Sequence, residues 1–163
     1  MKWIFLLLDV PCSSLCTSEQ ACVRGICTNV GRLGVALTWS RVGDADIILN
    51  TPLNKSISWR NKGPTTFTDG AFLDRDDRVA TGPENIYWPT NGTNPPNGTY
   101  HLCMQPYAFT PVPSADSPVY ATITVRWPLN TTLTFTKTIT ERYVPRYQCF
   151  PNSDAYMGSF TFS

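Results

Sequence analysis

Val119-Tyr-Ala-Thr-Ile-Thr-Val-Arg-Trp127 alternates apolar and polar side chains, and this stretch decides the fold. Successive side chains of an extended chain point to opposite faces. Val119, Ala121, Ile123, Val125 and Trp127 therefore share one surface, with threonine and arginine on the other. A helix would scatter the same positions around its circumference. With five inward positions, this stretch is the expected centre of the structure.

The same period recurs on both sides. Val35, Leu37 and Trp39 share a face, as do Ala45, Ile47 and Leu49, then Ile57 and Trp59. Tyr100, Leu102 and Met104 follow, then Leu133, Phe135 and Ile139, and Ser159–Ser163 closes the chain as a short strand. Fourteen prolines and ten glycines break these runs into short, turn-bounded pieces. Seven to nine one-sided strands hide their apolar faces by stacking two layers. The expected fold is thus an all-β antiparallel β-sandwich of Greek-key, immunoglobulin-like type. A chain of 163 residues with 42% hydrophobic content supports one such core. The expected organisation is an apolar strand at residues 1–10, a cysteine-rich arm at 11–30 and a sandwich over 31–163.

Composition also bounds the partners. Thirteen basic against twelve acidic side chains give a net charge of +1, too small a field to attract nucleic acid or an anionic membrane. Cys12, Cys16, Cys22, Cys27, Cys103 and Cys149 form an even set that suits three disulfides in an oxidising compartment, with fifteen pairings open. Zinc is disfavoured, because the spacings are wrong and the sole histidine, His101, is distant. Acceptor sequons begin at Asn54, Asn91, Asn97 and Asn130, and together with the cysteines they point to an extracellular glycoprotein.

The opening stretch Lys2-Trp-Ile-Phe-Leu-Leu-Leu-Asp-Val10 reads three ways. It resembles the start of a secretory signal, although its apolar run is short and Asp9 interrupts it. As a strand it spans about 30 Å. It then pairs either within its own sheet or, through Trp3, Phe5 and Leu7, with another copy by donor-strand exchange. It is too short to cross a bilayer as a helix.

Residues 33–107 resemble the YfaP-like secreted β-sandwich domain of unknown function. The pieces are Leu37-Thr-Trp39, Asp44-Ala-Asp46-Ile-Ile-Leu49 followed by Pro52, and Gly70-Ala-Phe-Leu-Asp74-Arg-Asp76. Gly82-Pro-Glu-Asn85 with Trp88, then Gly98-Thr-Tyr100 and Tyr107, complete the set. The resemblance covers about half the chain and implies a Greek-key-like sandwich working in surface or extracellular assemblies, with no established chemistry to transfer. The cysteine-rich arm, the insertion Asn91–Asn97 and the strands after residue 117 depart from it.

Two kinds of chemistry fit the acidic residues Asp44, Asp46, Asp74, Asp76 and Glu84. Loops at one end of a sandwich can converge carboxylates on calcium, which takes six to eight oxygen ligands. Turn capping and ion pairs with Arg75 or Arg78 are the alternative. Trp59, Tyr87, Trp88, Tyr107 and Tyr120 are candidate platforms for carbohydrate, while Trp39, Trp59 and Trp127 are expected in the core. No nucleophile turn accompanies His101, and an Asp76–Glu84 pair alone does not make a glycosidase, so no enzyme is expected. Two functions follow. The first is a glycosylated filament or matrix subunit assembling with copies of itself by strand exchange. The second is a monomeric adhesion or carbohydrate-binding module, assisted by calcium and facing its ligand with the acidic loops and Trp88.

Overall fold

The computed structural model describes residues 11–12, 15–127, 131–143 and 148–163. Trp3, Phe5 and Leu7 of the proposed assembly strand, and the sequon residue Asn130, lie outside the described residues.

Eleven strands are described: β1 (Gln20–Val23), β2 (Ile26–Asn29), β3 (Leu33–Trp39), β4 (Asp44–Asn50), β5 (Ser56–Ile57), β6 (Phe72–Arg75), β7 (Glu84–Trp88), β8 (Gly98–Ala108), β9 (Val119–Trp127), β10 (Thr131–Ile139) and β11 (Tyr156–Phe162). They form an all-β structure of antiparallel sheets. One sheet has five strands in the order β10-β9-β3-β7-β6, the other four in the order β11-β8-β4-β5, and β1-β2 is a separate hairpin.

The predicted faces meet between the sheets. Val35, Leu37 and Trp39 of β3, Ala45, Ile47 and Leu49 of β4, Tyr100, Leu102 and Met104 of β8, and Val119, Ala121, Ile123 and Val125 of β9 are buried in one cluster. Each large aliphatic in it contributes about 1.5–3 kcal/mol on leaving water. At one end the aromatics interlock. Tyr100 stacks on Phe160 at 5.0 Å between centroids, and Trp88 meets Tyr100 edge-on at 5.7 Å.

The centre differs from expectation. β3, not β9, sits in the middle of the five-stranded sheet, hydrogen-bonded to β7 on one side and β9 on the other. All seven of its residues are buried, because the hairpin covers its outer face as well. Gly34 and Ala36 point outward there, and a Cβ on Gly34 would stand 2.8 Å from Val30 Cα. Small side chains are what let the arm lie this close.

The arm is stapled by Cys12–Cys22 and Cys16–Cys27. Arg24 and Gly25 form its two-residue turn, both at positive φ, as the right-handed twist of a tight hairpin requires. Arg24 Nη1 donates to Trp39 O, and Asn85 Nδ2 donates to Asn29 O at 3.0 Å, fastening the arm to the sandwich. The third bridge, Cys103–Cys149, lies with Ile48 and Ala155 in a small second cluster.

Candidate metal centre

The alternation that sends Ala45, Ile47 and Leu49 into the core puts Asp44 and Asp46 on the opposite face of β4. On one side β4 pairs with β8 along its whole length. On the other, β5 covers only Leu49 and Asn50. Among the described strands, the edge at Asp44–Ile48 is left without a partner on that side.

Glu84 fills the gap. It opens β7 opposite Leu37, on the face it shares with the core residues Ile86 and Trp88. From the five-stranded sheet its side chain reaches the four-stranded one, where Oε2 accepts the Ile47 N–H at 2.6 Å. The preceding turn is held for this purpose. Asp77 Oδ1 accepts from Val79 and Ala80 N–H, and Asp77 Oδ2 accepts from Gly82 N–H at 2.8 Å. Gly82 has φ +84°, and a Cβ there would stand 2.7 Å from Leu37 O, so only glycine brings the chain to Glu84 along this path.

One oxygen from each of Asp44, Asp46 and Glu84 lies within 4.8 Å of the others. These residues are 7%, 5% and 1% exposed. Asp44 Oδ1, Asp46 Oδ2 and Glu84 Oε1 are buried without a hydrogen-bond partner among the described residues. Buried polar atoms nearly always have partners, and buried charges are paired or coordinate metal. The effect on protonation is correspondingly large. Burial, reinforced by Asp76, pushes the Asp44 carboxyl up to about 6. Burial, with Asp44 and Asp76 behind it, pushes Asp46 up to about 7. Glu84 is raised well above its ordinary value, chiefly by burial, against the opposing Ile47 hydrogen bond and reinforced by Asp46 and by Asp76, whose carboxyl stands close enough to share a proton with it.

A pocket of about 190 Å³ opens from Asp44 and Asp46. Asp76 lines it too, with Oδ2 accepting from Lys62 Nζ at 2.8 Å, and Trp59, Arg78 and Tyr107 complete the wall. Four of the five acids proposed from the sequence therefore gather at one place. The fifth does not. With Leu73 directed inward, Asp74 points to the outer face, where Oδ1 accepts from Asn85 Nδ2 at 2.8 Å and Oδ2 from Asn29 Nδ2 at 2.7 Å. It anchors the hairpin arm instead.

The aromatic residues exchange roles. Trp88, expected to face ligand, is fully buried and donates its indole N–H to Asp69 O at 2.8 Å. Trp59, expected in the core, is 37% exposed because β5 ends at Ile57, and it walls the pocket with the 42% exposed Tyr107. The polar run Arg60-Asn61-Lys62 after Trp59 was the sequence signal for this. His101 is half-buried on β8 near the Tyr156 hydroxyl, away from the pocket lining. Cys12, Cys16 and Cys27 also lie close together, but their sulfurs are spent in disulfides.

The centre offers hard oxygen donors alone, the set suited to calcium, magnesium or manganese rather than zinc or copper. No known protein family, curated protein or solved structure matches the chain.

Proposed function

We propose that this chain is a non-catalytic extracellular binding module whose pocket is organised by a calcium ion held by Asp44, Asp46, Glu84 and Asp76. The observation that carries the reading is the convergence of three buried carboxylates, each of which also has one oxygen without a hydrogen-bond partner among the described residues. A cation answers all three at once, and it ties β4 of one sheet to β7 of the other. The three disulfides, and the lack of any described helix long and apolar enough to cross a membrane, agree with an extracellular setting. The YfaP-like resemblance of residues 33–107 belongs to the same proposal.

Charge balance points to the ligand. Four ionised carboxylates against calcium, Lys62 and Arg78 leave the pocket close to neutral. Calcium seeks six to eight oxygens, and uncharged hydroxyls entering the pocket can supply those the protein leaves open. Tyr107 offers an apolar ring beside them, of the kind that grips the C–H face of a saccharide, and Trp59, with Arg60 over its ring at 5.2 Å, walls the pocket next to it. The test is calorimetric titration of metal-free protein with calcium, then of the calcium form with monosaccharides bearing vicinal hydroxyls. One calcium per chain, lost in Glu84→Gln, is expected. Absence of calcium binding overturns the proposal, and calcium binding without sugar binding confines it to a structural cation.

The filament reading has one supporting observation. β10 is nine residues long and pairs only with β9 among the described strands, the geometry that strand addition at its other edge would use. Negative-stain microscopy decides this: fibres support self-assembly, and uniform single particles defeat it.

A further inference from the structure

At the other end of the sandwich a groove of about 340 Å³ lies between Asn97, Asn94, Arg32 and the aromatic pair Trp127 and Phe162. Asn97 is exposed and stands at the end of the loop that leads into β8. Its sequon continues through Gly98 and Thr99, and Thr99 is exposed as well. Trp127 is held rigid, stacked on Phe160 at 6.0 Å and edge-on to Phe162 at 6.0 Å. Arg32 donates from Nη2 to Thr90 O at 2.6 Å, but its Nε is buried with no acceptor among the described residues. A fixed aromatic wall beside an exposed sequon asparagine, lining one groove, is a half-built ligand site.

We propose that the occupant is the first sugar of a glycan carried on Asn97 itself, an inference that rests on the extracellular reading but not on the cation. In the modification, Asn97 Nδ2 displaces the pyrophosphate of a lipid-linked oligosaccharide. The bond from nitrogen to the anomeric carbon forms, the bond from that carbon to phosphate oxygen breaks, and one Nδ2 proton is released. The attached N-acetylhexosamine then lies against its own groove. Its C–H face packs on Trp127 and Phe162, as the electron-rich ring face favours, and its acetamide lies beside Arg32, which lines the same groove. A groove at the lower end of small-ligand pocket size holds one sugar residue, not a whole oligosaccharide. Asn54 and Asn91, also exposed, do not line this groove, so their glycans stand free.

The experiment uses full-length protein secreted from eukaryotic cells, with site occupancy read by mass spectrometry and stability by thermal melting. Asn97→Gln and Thr99→Ala both abolish the sequon, and each is expected to lower Tm by about 2–4 °C, whereas Asn91→Gln leaves it unchanged. Trimming to a single N-acetylhexosamine keeps the stability, while complete removal loses it. In a Trp127→Leu background the Asn97→Gln effect vanishes. An unoccupied Asn97 beside occupied Asn54 and Asn91 overturns the proposal while leaving the extracellular reading intact. An occupied Asn97 whose removal does not move Tm overturns it too.

Discussion

The buried carboxylates make a pH-dependent prediction whose sign and size both follow from the structure. In metal-free protein Asp44 titrates near 6 and Asp46 near 7, against an ordinary value of 3.8. Between about 4 and 7 the folded state therefore binds more protons than the unfolded state, so metal-free stability falls as pH rises through that window. Calcium reverses the trend, because it needs the charged forms that burial disfavours. At pH 7.5 both aspartates are largely ionised. At pH 5 calcium must displace a proton held about 100-fold too tightly on Asp46 and about 10-fold on Asp44, which alone weakens its affinity about a thousandfold, and the raised Glu84 carboxyl weakens it further. For a Kd on the order of 10⁻⁴ M at pH 7.5, in the range of extracellular modules, 10 mM calcium adds about 2.7 kcal/mol. In a chain of this length that is a rise in Tm of about 5–10 °C. At pH 5 the same calcium gives a rise near zero. Thermal melts in calcium and in chelator at both pH values provide the check. A calcium shift of equal size at the two pH values, or none at pH 7.5, refutes the reasoning.

Three further outcomes follow. Glu84→Gln keeps an acceptor for the Ile47 N–H but removes the carboxylate that calcium would need. The variant is expected to stay folded without metal while losing its calcium response, read by paired denaturant melts with and without calcium. Gly82→Ala strains a left-handed position against Leu37 O and is expected to cost more than about 1 kcal/mol and to weaken calcium binding by moving Glu84, checked by the same melts and by titration. Opening Cys103–Cys149, with a sequence separation of 46, by a double serine substitution is expected to cost about 4 kcal/mol in urea unfolding.

The core was legible because a strand has a period of two and a single buried face. That rule identified the core positions of β4 and β8, three of the four on β3, where it missed Leu33 at the strand's start, and four of the five on β9 as fully buried, with Trp127 half-buried at its end. It failed where burial was not one-sided. β3 has Gly34 and Ala36 on its outer face, and those small residues signalled a covering element, yet nothing in the sequence said that the cysteine arm was the cover. Strand length, which favoured β9 as the centre, reports how many residues pair and not how many neighbours flank them. Asp74 is separated from Asp76 by a break in that parity. Strict alternation would put both on the outer surface, but the register shifts between Leu73 and Arg75, so Asp74 stays outside while Asp76 reaches the pocket, and a list of acids close in sequence overcounted the site by one.

Trp59 and Trp88 show why aromatic residues resist assignment from type alone. Both lie beside strands, but β5 stops after two residues while β7 continues through Trp88. The length of hydrogen-bonded partner available, and not hydrophobicity, decides which ring is buried.

The carboxylate cluster was readable only as a possibility, because its defining property is three-dimensional. Asp44 and Asp46 lie on β4 and Glu84 belongs to the other sheet; the gap that lets them meet exists because β5 is too short to cover the β4 edge. An ordinary sandwich would close that edge with another strand, satisfying the Ile47 N–H with a carbonyl and leaving no place for charge. Here a carboxylate takes the strand's place. Satisfying one backbone donor at an open edge does not explain three acids, since a single glutamine does the same without desolvating charge. Two further buried carboxylates add repulsion that protons relieve below about pH 6–7, and in the proposed calcium form a cation at their centre turns it into cohesion between the sheets. The short β5, the Asp77-held turn and the glycine at Gly82 therefore form one device: each keeps a carboxylate where a strand would otherwise be.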